Sequence, residues 1–563
     1  MNNIKRYLPY LILFISIILA IITRFYKLGE IPKELYIDEA GHGYSAYSIL
    51  KTGKDEFGKS FPIVFRQFTD FKAPIYIYLL VPLISIFGPT SFAVRLPSSI
   101  FSILTIPLIF FLVKKISPKT EGGYIASISA LLLAISPWHI FYGRATFECT
   151  VALFFFLGGV FLFFKGLENP KLLILSAVSF AIAITGYNAQ RLITPLMAII
   201  LFIKYRKVLL SKTYIKFLLL GTLVGLAILL PSLSIALTPG FWARATGLNI
   251  FSFNKAFPPG YMNGKTGFLG LIVNNLTFLS SKEFLSLYIS YLSSRNMFVL
   301  GDYNSRSFFP ELSTFFLWQA PFYLIGLYHL IKNKGLGELR FFTLALLIIG
   351  PLPAAVTRDP YSTIRALQLI FPQIIIVTIG IIAAYRFVQK RILKIAFVLI
   401  FILLIIYSLA KLFSSVVILN EYYKAEYWNY GWEEVASTIK TLNPNLPIVV
   451  DTAREWPYIQ ILFSLKFDPA TYQKENFEVP LNEYYTNLNR QEVKKIGNII
   501  TRKIQWKPDI KKEQYLIGDS LAISQQQIDE HKLTLIKDVY YPDGRIAYRI
   551  VKTNPQLNLP SEP

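Results

Sequence analysis

Cysteine and histidine are scarce in this sequence. Its 563 residues include one cysteine, Cys149, and four histidines. A single cysteine excludes an intrachain disulfide, and the absence of any CxxC or HxxxH pair argues against a compact zinc site.

Acidic residues are scarce over the first three quarters of the chain. Residues 421–563 hold 18 basic and 19 acidic residues, which leaves 39 basic and 15 acidic residues for 1–420. The basic residues lie between hydrophobic runs rather than on one soluble face, which argues against nucleic acid as a partner. Positive loops between apolar segments are typical of a membrane protein that meets anionic lipid.

Hydrophobic residues make up 53% of the chain, and the mean hydropathy is +0.46. Repeated apolar runs of roughly 18–22 residues predict a polytopic α-helical membrane protein. About eleven transmembrane helices are expected, the first an uncleaved anchor with its N-terminus in the cytoplasm. They are placed near residues 7–24, 94–113, 123–141, 148–165, 171–188, 191–205, 215–237, 314–332, 340–357, 365–385 and 393–415.

The short apolar stretch 73–89 decides the topology. If it spans the membrane, the lysine-rich loops that follow face outward. If it lies in the outer interface, those loops face the cytoplasm and carry about 19 basic residues against three acidic ones, Glu121, Glu168 and Glu338. The positive-inside rule favours the interfacial helix.

This topology places four features outside: loop 25–93, the turn around 142–148, loop 238–313 and all residues after about 420. The predicted domains are a membrane domain, 1–420, and an extracytoplasmic α/β domain, 421–563. Residues 447–451 and 515–519 have the pattern of buried strands, 431–442 that of a helix, and 539–551 that of a hairpin. Phe268–Leu279 is predicted to be a second interfacial helix. We expect the protein to lie in a cell (plasma) membrane.

Adjacent carboxylates, Asp38 and Glu39, follow the first span. One of them is suited to accept a proton from an attacking hydroxyl. Adjacent residues do not share a helix face, so we expect separate roles for the two. The alternative is a solvated loop with no chemical task.

Further charged residues lie at the predicted outer face. Asp70 and Lys72 precede the interfacial helix, and Lys72 suits a phosphate oxygen or, alternatively, snorkels to the interface. Arg95 has the same two alternatives. Arg144 and Glu148 flank a short loop, either as a structural i, i+4 pair or as ligands. The other predicted ligands of a lipid phosphate or its sugar are Arg191, Asp302, Arg306 and Arg365.

These motifs, in their order and spacing, resemble the family-39 glycosyltransferases, which include protein O-mannosyltransferases and lipid A aminoarabinose transferases. The resemblance rests on the pair Asp38–Glu39, then Asp70-x-Lys72-x-Pro74, then Phe87–Gly88 before Ala93–Pro97, and finally Ser136–Pro137 with Glu148 about a dozen residues later. It covers about the first 190 residues. Glu148 stands where the family often has aspartate.

The resemblance implies the GT-C architecture and an active site open to the extracytoplasmic side. It implies an inverting transfer of a hexose or pentose from a polyprenyl-phosphate-linked donor to an acceptor glycan, lipid or protein. Asp38 would activate the acceptor, with Glu39 supporting it. Asp70 and Glu148 would line the sugar pocket, while Lys72 and Arg95 would hold the phosphate. No cofactor is required, although the acids leave room for a divalent metal.

Two other functions are alternatives to this glycosyltransferase. A lipid or polysaccharide transporter needs ionisable residues midway along its spans, and these are nearly absent here. An oligosaccharyltransferase is suggested by Tyr427–Trp432 (YWNYGW), which resembles the Trp-Trp-Asp-Tyr-Gly signature with Asn429 in place of aspartate. We interpret that stretch as an aromatic belt leading into a helix.

Overall fold

The computed structural model describes residues 2–68, 70–242, 249–251, 276–476 and 479–557. The predicted interfacial helix Phe268–Leu279 lies outside these residues except for its last turn, which begins the helix Leu276–Ser290. The chain divides into two compact units. We call them the helical unit (Met1–Tyr26, Ser98–Leu237 and Trp242–Ser415) and the mixed unit (Lys27–Pro97, Thr238–Phe241 and Val416–Pro563).

The helical unit contains at least one helix at each of the eleven predicted spans, and the spans 123–141 and 340–357 contain two helices each. They are α1 (Asn2–Phe25), α4 (Ser91–Ile116, which starts in the mixed unit), α5 (Gly122–Ala134), α6 (Pro137–Arg144), α7 (Glu148–Gly166), α8 (Leu172–Gly186), α9 (Gln190–Leu209) and α10 (Lys212–Ser234), followed by Ala320–Lys332, Gly337–Ile349, Leu352–Ala355, Ile370–Phe387 and Arg391–Phe413. Leu276–Ser290 lies in the intervening loop.

By length and hydropathy, seven of the described helices are able to cross a membrane, or eight if the bent pair α5–α6 is one span. This number is smaller than the predicted eleven. Helix α8, for example, has 15 residues and is therefore about 22 Å long, less than the ~30 Å of a bilayer core. A polytopic helical membrane protein is confirmed.

The predicted span 123–141 is broken rather than continuous. Helices α5 and α6 meet at 56°, because Ser136 caps α6 and Pro137 occupies its first turn. The break leaves carbonyl groups at the end of α5 without helical partners. The buried Arg24 of α1 donates to two of them, Leu133 O and Ala134 O, which holds the bend.

The three predicted inner acids make ion pairs with basic residues of loops assigned to the same side. Glu168 pairs with Lys115, Glu338 with Lys204, and Glu121 with Arg386. Residues far apart in sequence are thus neighbours at the ends of their helices. These ion pairs agree with the predicted assignment of the loops to one side of the membrane. Which side of the membrane that is stays a prediction.

The mixed unit combines the first loop of the chain with its C-terminal part. The first loop forms α2 (Ile37–Thr52), the antiparallel pair β1 (Phe65–Gln67) and β2 (Asp70–Lys72), and α3 (Pro74–Phe87). With 14 residues, α3 is too short to span a bilayer, as expected of an interfacial helix. It packs on α2, and α2 also packs on the helix Pro457–Leu465.

The C-terminal part carries a six-stranded sheet in the order β4-β5-β3-β6-β8-β7. Its strands are β3 (Ile448–Val450), β4 (Lys494–Ile496), β5 (Ile499–Thr501), β6 (Tyr515–Asp519), β7 (Thr534–Tyr540) and β8 (Ile546–Lys552). Strand β3 lies parallel to both β5 and β6. Helices Asn420–Lys424, Trp432–Ile439, Pro457–Leu465, Pro469–Glu475, Trp506–Asp509 and Gln525–Glu530 complete it.

The C-terminal α/β fold is therefore as predicted. Both expected strands, the helix after Gly431 and the hairpin around Pro542 are present. The hairpin starts earlier than the sequence pattern indicated, at Thr534. Its turn closes through Tyr541 N and Arg545 O, with Gly544 at φ 84°, a conformation that favours glycine.

Candidate active site

The acid pair lies in the first turn of α2. Tyr36 precedes the helix in extended conformation, and its N–H donates to Glu39 Oε2 at 3.1 Å. Negative side chains at this end are favoured by the helix dipole. Successive helical residues point in different directions, so the two carboxylates enter different surroundings, as expected.

Glu39 is fully buried and forms a two-point ion pair with the buried Arg95 of α4. Arg95 Nε lies 3.1 Å from Glu39 Oε1, and Nη2 lies 3.2 Å from Oε2. A buried carboxylate needs such compensation, because desolvation of either charge alone is costly. Glu39 is thus a structural partner of Arg95 rather than a solvated acid.

Arg95 uses all five of its N–H groups within the mixed unit. Besides Glu39, it donates to the carbonyl groups of Leu28 (3.2 Å), Pro32 (2.6 Å) and Glu34 (2.7 Å). A guanidinium has five donors, so none remains for a phosphate in this conformation. Arg95 is buried and therefore does not snorkel, and its contacts surround the start of α2; the predicted contact with a donor phosphate stays a prediction.

Asp38 faces a second group of side chains. Its Oδ1 lies 3.1 Å from Lys72 Nζ, and its Oδ2 accepts a hydrogen bond from the Tyr36 hydroxyl. Lys72 Nζ also lies 3.9 Å from Asp70 Oδ2. We call Tyr36, Asp38, Asp70 and Lys72 the Asp38 cluster.

The two acids of the Asp38 cluster remain partly accessible, while its lysine does not. The side chains of Asp38 and Asp70 are 23% and 19% exposed, and that of Lys72 is 6% exposed. Lys72 therefore does not snorkel to a surface.

The hairpin β1–β2 places Asp70 and Lys72 in the Asp38 cluster. Residues two apart in a strand share a face, so both side chains point the same way and Phe71 points the other way. Phe71 packs on Tyr484 and Tyr485, with ring centroids 6.1 and 6.4 Å apart. A hydrogen bond of 3.0 Å from Gln67 Nε2 to Ser45 Oγ ties the hairpin to α2.

Sequence reasoning missed Tyr36 and His42. His42 is one turn after Asp38, and its Nδ1 lies 2.6 Å from the Asp38 carbonyl oxygen. Its ring meets Tyr76 of α3 edge-on at 5.9 Å. The spacing of four residues from Asp38 was a usable signal for His42, whereas nothing in the pattern singled out Tyr36.

The YWNYGW stretch packs on the first loop within the mixed unit. Trp428 is buried, with its ring 6.3 Å from that of Tyr36 and 5.9 Å from Arg95 Cζ. Asn429 Oδ1 accepts from Ile37 N at 3.2 Å. The YWNYGW stretch thus packs against the start of α2. It also leads into the helix Trp432–Ile439, which agrees with the predicted helix after it.

Glu34 links the same two segments. Its carboxylate accepts from Gly431 N at 2.7 Å and Glu433 N at 3.2 Å, at the start of the helix Trp432–Ile439. Burial raises the pKa of Glu34 to about 7, against the lowering effect of these hydrogen bonds. The link therefore contains a carboxyl group that titrates near neutral pH.

The other predicted ligands belong to the helical unit. Arg144 is buried at the end of α6 and donates to the carbonyl groups of Thr23, Arg24 and Tyr26 at the end of α1. Glu148 is buried at the start of α7. Ala145 between them is extended, so the two residues do not lie on one helix as an i, i+4 pair would.

Asp302 is the centre of a polar network in the helical unit. It accepts from Thr363 N at 2.6 Å, Asn304 N at 2.7 Å and the Thr363 hydroxyl. That hydroxyl also lies 2.6 Å from the hydroxyl of Tyr142. Burial raises the pKa of Asp302 to about 6.

The three remaining arginines are partly exposed. Arg365 pairs with Asp359 and donates to Thr357 Oγ1 at 2.9 Å. The backbone N–H of Arg306 donates to Asn304 Oδ1 at 3.0 Å, next to Asp302. Arg191 lies in the first turn of α9. The mixed unit thus brings Asp38, Glu39, Asp70, Lys72 and Arg95 together, and the other six predicted residues stay predictions.

Among the described residues, no group of three or more His, Cys, Asp or Glu side chains is arranged to hold a metal ion. Asp38 and Asp70 lie on either side of Lys72, and an ammonium in that place opposes a cation.

Residues 71–235 match the sequence model of the dolichyl-phosphate-mannose-protein mannosyltransferase family. The match begins after Asp38, Glu39 and Asp70, and it includes Lys72, Arg95 and Glu148. No curated protein matches the chain by sequence.

Two solved structures share the fold. The Archaeoglobus fulgidus oligosaccharyltransferase, tethered to an acceptor peptide containing an NVT sequon, has a TM-score of 0.51 and 13% identity over 100% of this chain and 75% of that one. ArnT from Cupriavidus metallidurans, bound to undecaprenyl phosphate, has a TM-score of 0.50 and 10% identity over 98% of this chain and 99% of that one.

The chain has the GT-C fold. The predicted architecture is thereby confirmed, as is the resemblance to family-39 glycosyltransferases over the matched segment. The predicted class of enzyme, a membrane glycosyltransferase, is confirmed with it.

Proposed function

We propose that this protein transfers a sugar from a polyprenyl-phosphate donor to an acceptor hydroxyl, with inversion at the anomeric carbon. The observation that carries the proposal is the Asp38 cluster, in which two partly exposed carboxylates flank one buried ammonium group. The ArnT structure of the same fold contains undecaprenyl phosphate, which supports a lipid-phosphate donor.

Asp38 is the proposed base. Its carboxylate takes the proton of the acceptor hydroxyl, whose oxygen then attacks the anomeric carbon. The bond from that carbon to the phosphate oxygen breaks, and the polyprenyl phosphate leaves with the electron pair. Tyr36 and Lys72 hold the carboxylate from two sides, so it needs little reorientation before it acts.

Lys72 is the proposed stabiliser of charge. While Asp38 is negative, the ammonium is shared between Asp38 and Asp70. When Asp38 becomes protonated, that ammonium is freed to stabilise the negative charge growing on the leaving phosphate. Such fixed charges supply much of the rate in transfers of this kind.

Glu39 and Arg95 are proposed as positioning residues, because their contacts are made to each other and to backbone. Asp70 is proposed to bind the sugar hydroxyl groups. For Arg144, Glu148, Arg191, Asp302, Arg306 and Arg365, the proposed role as donor or sugar ligands rests on the resemblance. No metal is required by this mechanism.

The proposed location is a cell membrane, with the N-terminus in the cytoplasm and the mixed unit outside. The distribution of charge supports it, because the basic loops joined by the Lys115–Glu168 and Lys204–Glu338 pairs then face the cytoplasm. The acceptor, whether glycan, lipid or protein, is met at the outer face.

Transfer of a preassembled glycan to protein is the second candidate. It is favoured by the fold match to the archaeal oligosaccharyltransferase. The asparagine at position 429 counts against it, because its amide oxygen already accepts from the start of α2.

One experiment separates the two candidates. Membranes with and without the protein are given radiolabelled monosaccharides linked to polyprenyl phosphate, and separately an Asn-x-Thr peptide with a lipid-linked oligosaccharide. Mass spectrometry then identifies the product. We expect transfer of the monosaccharide. A glycosylated peptide, or no use of the polyprenyl-phosphate sugar, would overturn the proposal.

A further inference from the structure

A cleft of about 280 Å³ lies in the C-terminal part of the mixed unit, apart from the Asp38 cluster. It is lined by the loop that follows β3, by residues 490–494 and by the end of β5. Strands β3 and β5 are adjacent and parallel, and ligands of open α/β sheets bind outside the carboxyl ends of such strands.

The loops that form this cleft are fixed by one carboxylate. Asp451, directly after β3, accepts from Ala453 N at 2.9 Å and from Ile504 N at 3.0 Å. Its own N–H donates to Ile517 O of β6 at 2.8 Å. The walls are therefore held in place before any ligand arrives, which lowers the entropic cost of binding.

Cations outnumber acids in the cleft. Its lining contains Arg454, Arg490, Lys494 and Lys503 against Glu455 and Glu492. Arg454 is paired with Asp519, and Glu455 accepts hydrogen bonds from Tyr548 and Trp432. With Arg454 set aside as paired, three cations and two acids remain in the lining, so its net charge is positive.

Arg490 is the cation best placed for a ligand. Its guanidinium lies 4.0 Å from the centre of the Trp456 ring, a stacked arrangement that leaves the N–H groups at its edge. Within the described part of the chain, this guanidinium makes no hydrogen bond or ion pair. A planar fork held on an aromatic ring is suited to bind a carboxylate or phosphate at two points.

The cleft adjoins the hairpin of the Asp38 cluster. Phe68, in the turn between β1 and β2, packs on both Trp456 and Tyr458, with ring centroids 6.0 and 6.1 Å apart. Lys72 follows four residues later on strand β2 of the same hairpin, so the cleft and the Asp38 cluster are joined by one supporting element.

We propose that this cleft binds an anionic sugar residue of the acceptor glycan and so directs its terminal hydroxyl towards Asp38. The inference rests on the proposed function and names its acceptor class. Arg490 and Lys503 bind the carboxylate or phosphate, while Trp456 and Tyr458 contact the sugar ring. The volume is near the lower end for small-ligand sites, which fits one sugar residue rather than a lipid.

Binding is measured by titration calorimetry on the full-length protein in nanodiscs. The probes are trigalacturonic acid, which carries carboxylates, glucose 6-phosphate, which carries a phosphate, and neutral maltotriose. We expect at least one anionic probe to bind the wild type at least tenfold more tightly than maltotriose. Arg490→Gln should weaken that binding about tenfold, and Arg490→Lys should weaken it less.

Arg545→Gln is the matched control, because Arg545 is an exposed arginine of the same domain in the β7–β8 turn. It should leave binding unchanged. If Arg490→Gln does not give a folded protein by thermal melting, Lys503→Gln, at an exposed position, takes its place with the same expectation.

The cleft assignment is overturned if neither anionic probe is preferred to maltotriose, or if Arg490→Gln and Arg545→Gln have equal effects. Failure of the proposed function looks different. In that case the wild type does not use polyprenyl-phosphate sugars, yet the anionic probes still bind. Asp38→Asn, which leaves the cleft intact, should bind the probes as the wild type does.

Discussion

Lys72 Nζ lies 3.1 Å from Asp38 Oδ1, and the lysine side chain is almost completely buried. This ion pair joins the first turn of α2 to strand β2, and its two residues are 34 positions apart in the sequence. Variants of either residue therefore test both catalysis and the arrangement of the cluster.

Asp38→Asn should reduce sugar transfer by at least ~10²-fold, the usual contribution of a general base. The amide has nearly the same shape and still accepts the Tyr36 hydrogen bond, so the protein should insert and melt normally. Turnover of a polyprenyl-phosphate sugar is the measurement. Glu30→Gln, a change at an exposed acid of the same unit, is the control and should have no effect. Normal turnover by Asp38→Asn would exclude Asp38 as the base.

Lys72→Met should strongly reduce transfer, with residual turnover, and also weaken donor binding. The substitution keeps the length of the side chain, removes the ammonium and leaves Asp38 and Asp70 facing each other without a cation. We expect kcat to fall more than KM rises, because the charge on the leaving phosphate is largest in the transition state. A changed KM with an unchanged kcat would assign Lys72 to binding alone.

Arg95→Lys should destabilise the mixed unit by about 2 kcal/mol or more, since lysine keeps the positive charge opposite Glu39 but leaves buried acceptor groups without a donor. Lysine has three donors and cannot replace the five hydrogen bonds of the guanidinium. Thermal melting of the full-length protein measures the effect. Arg545→Lys, at an exposed site, should melt like the wild type. Equal melting temperatures for the two variants would contradict the positioning role.

Glu34 should make stability depend on pH. Burial, with a further contribution from Glu433, raises its pKa from 4.5 to about 7 in the folded protein. The folded state therefore binds more protons than the unfolded state between pH 4.5 and 7, so stability falls as the pH rises through that window. The loss is on the order of 3 kcal/mol.

Glu34→Gln tests this dependence, because glutamine keeps one of the two oxygens that accept from Gly431 N and Glu433 N but does not titrate. The difference in melting temperature between variant and wild type, measured from pH 5 to 8, should grow with pH in favour of the variant. A difference that stays constant across this range would exclude Glu34 as the source.

The single cysteine allows a test of orientation. Cys149 is buried and is the one cysteine of the chain. Replacing it by alanine therefore gives a background with no thiol that could react with a membrane-impermeant maleimide. Adding Asp543→Cys to that background should give labelling of intact cells, whereas Lys207→Cys should be labelled only after permeabilisation. The reverse pattern would overturn the proposed topology.

Local patterns predicted the helices well and the site in part. Apolar runs placed a helix at each expected span, because burial in lipid demands a continuous apolar segment with internal hydrogen bonds. The bend between α5 and α6 was overlooked, although Ser136–Pro137 is a helix-start signal. Asp38, Asp70 and Lys72 were identified from residue type and order.

The roles within the cluster did not follow from the sequence. Arg95 looked like a phosphate ligand, since its sequence position does not reveal that Glu39 and three carbonyl groups occupy its donors. Tyr36 carried no signal, because its hydroxyl reaches Asp38 only after the chain turns into α2.

By itself, the sequence determined that this is a helical membrane protein with an α/β C-terminal part, and that its acids gather in a few loops. Hydropathy and strand patterns depend on residues that are close in sequence, so they can be recognised without knowledge of the fold. Only the tertiary structure decided which acid is buried against Arg95 and which faces Lys72. It also joined the first loop to the C-terminal sheet and formed the Arg490 cleft, because contacts between distant segments depend on packing that no local pattern encodes.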